Sequence, residues 1–171
     1  MAFDPLEIHR TFARYNGWMN EKLLASCSTL PDEARKKLLS VPFGSLHGLW
    51  NHLLVADNLW LARFERTPLP FEFRGLDMEL FSEWDELRVA RLALDERIGH
   101  FAAVLTVERL DSTLHWVSAS NPTPRATAFS LVMAHFWNHQ THHRGQITAT
   151  METLGLDCGV TDLLALPGLM A

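Results

Sequence analysis

The sequence predicts an all-α fold, a four-helix bundle with a short extended, hairpin-like segment before the last long helix. Three observations carry this. Apolar residues recur at three- and four-residue spacing through four long stretches, the mark of helices with one buried face. The eight prolines fall between or at the ends of these stretches. One period-two piece, within residues 111–120, precedes the last stretch. At 171 residues and 47% hydrophobic, the chain reads as one domain, residues 1–171, able to bury a real core.

Asp4 and Pro5 read as an N-cap and first-turn proline. Ile8, Phe12, Tyr15, Met19 and Leu23 then mark a helix that Pro31 ends. Residues 32–39 supply one or two polar turns, and Pro42, Phe43 and Gly44 break the chain again. Ser45 is the expected N-cap of the second long helix, whose buried face is Leu46, Leu49, Leu53, Trp60 and Phe64, up to Thr67-Pro68. On it, His47 shares a face with Asn51, Asn58 and Glu65 and reads as solvated. His52, between Leu49, Ala56 and Leu59, looks inward from the core's edge. Residues 69–76 form a connection. A third helix spans about 77–106 on Leu80, Trp84, Leu87, Leu94, Ile98 and Phe101, with Arg91, Asp95 and the other charges read as a wet face. Leu114, Trp116 and Val117 point to a short strand or hairpin arm, and residues 121–124 to a loop. The last long helix covers about 126–154, with Gly155 as its C′ residue. Residues 161–166 form a further short helix docked on the bundle. The long connections around the third helix leave room for a non-simple topology.

The last helix carries four of the nine histidines, His135, His139, His142 and His143. Residues four apart stack on one helix face. Phe129, Val132, Phe136, Ile147, Thr150 and Leu154 fall within roughly 40° of His143 on the helical wheel, and so does His139. His135 and His142 sit roughly 80–100° to one side. Two inward imidazoles at i, i+4 can close on one metal ion. The alternative is two core histidines separately hydrogen-bonded, or a polar seam. His52 has the right character for a third ligand.

Other function classes fare worse. The formal net charge of −5 and dispersed basic residues argue against nucleic acid. No run of about 18 apolar residues suggests a membrane span, and residues 1–5 lack the pattern of a signal peptide. A cytoplasmic protein is the expectation. Cys27 and Cys158 form no motif, and Cys27 reads as a small core residue.

Three stretches resemble the DinB and YfiT-like family. They are Tyr15-Asn16-Gly17-Trp18-Met19-Asn20 with Leu23-Leu24, Asn51-His52-Leu53-Leu54-Val55-Ala56-Asp57 with Trp60, and His139-Gln140-Thr141-His142-His143-Arg144-Gly145-Gln146. The resemblance implies an up-down-down-up bundle and a divalent metal held by three histidines, which here would be His52, His139 and His143. Family members include thiol S-transferases and a mycothiol-dependent isomerase, and dimers are frequent. The expectation is therefore a metal-dependent enzyme of thiol transferase or hydrolase type acting on a small molecule, with a low-molecular-weight thiol as a candidate cosubstrate and a homodimer as a candidate assembly. A non-catalytic metal-binding stress-response protein is the alternative.

Imidazole ligands suit Zn, Ni, Fe or Cu and do not fix the metal; Zn or Ni is the expectation, with Fe, Mn or Cu as alternatives. Three of them leave an open position for water or thiol, as in catalytic zinc sites. The His-x-x-x-His spacing is that of a zincin, but Gln140 stands where the general-base Glu would be, so the built-in base of those metalloproteases is absent. His142, as a proton shuttle, and Gln146, beside His143, are the candidate catalytic groups, with a helix–helix or subunit contact as the equal alternative for His142. Arg144 reads as a surface residue, and Asp57 as a support for His52 or a part of the cavity wall.

Overall fold

The computed structural model describes residues 4–118 and 123–169. The loop expected at Asn121-Pro122 and the N-terminal Met1-Ala2-Phe3 lie outside them. The elements run α1 (Glu7–Cys27), α2 (Asp32–Lys36), α3 (Leu46–Glu65), α4 (Trp84–Ala103), α5 (Val107–Leu110), β1 (Thr113–Val117), β2 (Pro124–Ala128) and α6 (Phe129–Thr153), then a single 3-10 turn, Leu163–Ala165. Among the described residues no helix is long and apolar enough to cross a membrane.

Side-chain contacts fix the directions of the four long helices. Asn16 meets Asp95, and Ser28 meets Trp84, so α1 and α4 are antiparallel. His9 meets Trp137 and Asn16 meets Arg144, so α1 and α6 are parallel. The pairs Asp57–Gln140 and Phe64–Phe129 make α3 and α6 antiparallel. The pairs Asp57–Arg91 and Glu65–Arg97 make α3 and α4 parallel. The bundle is therefore up-down-down-up, and residues 66–83 are long because they must return the chain to start a parallel neighbour.

The helix ends follow local chemistry. The Ser45 hydroxyl accepts from the Gly48 N–H at 2.9 Å, as its position predicts. Gly155, at φ +83°, closes α6 with two backbone bonds, Gly155 N–H to Glu152 and Leu156 N–H to Met151. Asp4 does not sit directly at the helix. Its carboxylate accepts from the Leu6 N–H at 2.9 Å and forms a turn, and regular α1 begins at Glu7.

Two expected boundaries and one expected exposure are corrected. Helix α4 starts at Trp84 rather than near 77, because residues 77–83 lie as a strap across α3. Asn51 holds that strap: its Oδ1 accepts from the N–H groups of Leu80 and Phe81 (2.8 and 2.9 Å), and its Nδ2 donates to the Phe81 carbonyl (3.1 Å). His47 also donates to the Phe81 carbonyl, at 2.9 Å. His47, Asn51 and Asn58 are therefore buried, not solvated. At the other end of the chain, residues 124–128 pair antiparallel with β1, Thr113 opposite Ala128 and Val117 opposite Pro124. That pairing overrides the helical preference of Ala126 and Ala128 and delays α6 to Phe129.

The core is layered. One apolar cluster gathers Trp60, Phe64, Ile98, Phe101, Phe129 and Phe136. A second gathers Met19, Leu23, Leu49, Trp50, Leu87, Ile147 and Met151. Between them, all four long helices contribute buried polar residues: Asn16 and Asn20 from α1, Asp57 from α3, Arg91 and Asp95 from α4, and Gln140 and Arg144 from α6.

Candidate metal centre

The antiparallel pair α3 and α6 brings His52 against His139 and His143. The His52 and His143 Nε2 atoms are 3.1 Å apart, and so are those of His143 and His139. One ligand atom from each of the three lies within 4.8 Å of the others, a spacing that could hold a metal ion. His143 is buried and His139 half-buried, whereas His135 and His142 are exposed, as the helical wheel separates them. Phe43, in the left-handed region at φ +58°, stacks on the His52 ring at a centroid distance of 3.7 Å. Such a conformation is costly for a bulky residue, and here it closes one side of the cluster with an aromatic face.

The hydrogen bonds assign the protons. His52 Nδ1 lies 2.8 Å from the Leu76 carbonyl, which can only accept, so Nδ1 carries the hydrogen. His143 Nδ1 donates to Gln146 Oε1 at 2.9 Å. In neutral rings both Nε2 atoms are then bare, and two lone pairs face each other at 3.1 Å with no proton between them. A cation between them relieves that repulsion. Zn–N bonds of about 2.0–2.1 Å place tetrahedral ligand nitrogens roughly 3.4 Å apart, close to the separation observed. The donor set therefore fits a divalent ion. His139 Nδ1 is buried with no protein partner among the described residues.

Electrostatics keep the rings neutral, as metal ligation requires. Burial, then the neighbouring imidazoles, push His139 down to about 3. Burial and His52 push His143 down to about 4, and burial lowers His52.

The other singled-out residues take distinct places. Gln146 orients His143 through Oε1, while its Nε2 lies 3.0 Å from His142 Nε2, so His142 is joined to the cluster through Gln146. Gln140 turns away and donates to Asp57 Oδ2 at 3.0 Å. Asp57 makes no hydrogen bond to His52 and instead accepts from Arg91 Nη1 at 2.7 Å. Arg144 is not a surface residue: it is buried, donates to Asn16 Oδ1 and lies 5.1 Å from the Tyr15 ring centroid. Cys27 and Cys158 are free and buried, and burial pushes the Cys27 thiol up to about 12, far from the thiolate a nucleophile needs. Beside the cluster, a cavity of ≈ 200 Å³ is lined by His139, His135, Trp60, Trp116, Arg63, Leu76, Ala56, Leu59 and Ser118. It gives the histidines an aromatic-walled space on one side.

A buried network that the helical patterns do not announce sits under the centre. Arg91 meets Asp57 and, through Nε and Nη2, both oxygens of Asp95, at 2.7–3.2 Å. Asn16 and Asn20 also donate to Asp95. Two guanidinium groups, Arg91 and Arg144, thus balance two carboxylates. Asp57, the one charged residue in the largely apolar run from Leu53 to Leu61, was the signal that could have found it.

Comparison with known proteins agrees with the residues that carry the resemblance. The model of the DinB family matches residues 3–169. The chain is 28% identical over 153 residues to Protein DinB of Bacillus subtilis (strain 168), covering 86% of this chain and 87% of that protein.

Proposed function

The chain belongs to the DinB family, and on that premise we propose that it is a divalent-metal protein, with His52, His139 and His143 as ligands, acting as a metal-dependent transferase or hydrolase on a small molecule. One observation carries the metal reading: the bare Nε2 atoms of His52 and His143 facing each other at 3.1 Å. A bound divalent ion supplies a Lewis acid and lowers the pKa of a ligated water or thiol. The chain's own residues do the rest. The Leu76 carbonyl and Gln146 fix the His52 and His143 tautomers, as outer-shell partners do in metal sites. His142, exposed and touching Gln146, is placed to exchange a proton with solvent. Both thiols of the chain are buried, which favours a nucleophile brought by the substrate, water or a low-molecular-weight thiol.

The cavity beside His139 favours an enzyme over a closed metal-storage site, since it supports a ligand next to the histidines. Three imidazoles suit Zn or Ni, among other borderline divalent ions. The test is a screen of low-molecular-weight thiols with electrophilic acceptors, read by mass spectrometry. Turnover should vanish with a chelator and return with one divalent metal. Turnover that survives metal removal but is lost in Cys27→Ser refutes this reading.

A further inference from the structure

The cavity beside His139 shares Trp60, Trp116 and His135 with a larger one of ≈ 580 Å³ over the hairpin. Each contains one arginine, Arg63 in the smaller and Arg125 in the larger. The Arg63 guanidinium lies 4.7 Å from the Trp60 ring centroid and 5.3 Å from that of Trp116, and Arg125 lies 5.1 Å from Trp116. Arg63 Nη2 donates to the Val117 carbonyl at 3.0 Å, which pins the group to the hairpin before any ligand arrives. Among the described residues no Asp or Glu lines either cavity, although the chain carries a formal net charge of −5.

Low-dielectric aromatic walls around charge of one sign concentrate its field. Guanidinium groups present planar donor pairs that match a carboxylate or another oxyanion. Indole faces take a flat apolar body. We propose that these adjoining cavities form one binding site for a small anion with a flat apolar body. The anionic group lies between Arg63 and Arg125, and the body against the indole surface those guanidiniums leave open and the apolar wall of Leu131, Val132 and Ala134, with the smaller cavity leading on to His139. The site rests on the proposed function only in being the substrate side of the metal centre; its anion contacts stand without the metal.

Phenylacetate and its neutral amide, phenylacetamide, are titrated into the protein as purified, followed by calorimetry and tryptophan fluorescence. The acid should bind at least tenfold more tightly than the amide. Arg125→Gln should reduce that preference at least threefold, and Arg63→Met should remove most of it. Arg63 also holds the hairpin, so the exposed Arg125 keeps the test independent of folding. Equal affinity for acid and amide, no binding of the acid, or a preference unchanged in both variants overturns the site. The last outcome would mean that the carboxylate reads the metal rather than the arginines. A preference retained in His143→Ala supports the site directly. Protein that holds no metal yet prefers the acid refutes the proposed function alone, and protein that holds metal without the preference refutes this site alone.

Discussion

Replacing Arg91 by Met should be among the most damaging single changes in the chain. Arg91 is 0% exposed, and its guanidinium bridges Asp57 and Asp95 at 2.7 Å each. Methionine fills much of the volume but leaves two buried carboxylates without their cation. Removing one partner of a buried ion pair costs about 3–5 kcal/mol. For a chain of this size that is a fall in Tm of about 6–20 °C. The loss should depend on pH. Burial already pushes Asp95 up to about 6 from an ordinary 3.8, and Arg91 opposes that rise. Without Arg91 the folded-state values of both aspartates climb further. A carboxyl whose folded pKa lies above its unfolded one loses stability as pH rises from the unfolded value through the folded one. The variant should therefore lie nearest wild type at pH 5 and fall further behind at pH 8, in urea unfolding at fixed metal. A difference under about 1 kcal/mol at pH 8, or a gap that narrows with rising pH, would show that the network is not an ionised pair holding the core.

Gln146→Leu removes the acceptor for His143 Nδ1 and should weaken metal binding about 10–100-fold in a competition titration, with helical content unchanged. Metal-free protein should lose stability as pH falls below 6.5. The unfolded chain then protonates His139 and His143, while burial holds the folded values at about 3 and about 4. Urea unfolding with chelator at pH 7 and pH 5 checks this against the His139→Ala, His143→Ala double variant, which shares the opposing contribution of the raised Asp95; the same pH dependence in both proteins excludes neutral buried rings.

The helical periodicity was enough to place four long helices and the pairing of His139 with His143 on one face, and the period-two pattern to place one extended arm before the last helix, because each is written within a few residues of itself. What was missed depends on chain far away. His47 and Asn51 look solvated on the wheel of α3, but the strap of residues 77–83 covers them and takes its backbone hydrogen bonds from them. Arg91 and Asp95 are an i, i+4 pair, which on an isolated helix reads as a surface ion pair. Only the arrival of Asp57 from α3, and of Asn16 and Asn20 from α1, makes them a buried layer. Arg144 was misread for the same reason, since its partners Asn16 and Tyr15 lie on α1. The hairpin's second strand was hidden because alanine-rich residues 124–128 carry no strand signal until β1 pairs with them.

The proposed centre joins three histidines from two helices on one ion. Metal content by mass spectrometry, on protein purified without an affinity metal column, tests it most directly when wild type is set beside the His139→Ala, His143→Ala double variant. One divalent ion per wild-type chain and almost none in the variant is the expected result, with circular dichroism unchanged. A full complement of metal in the folded double variant contradicts it.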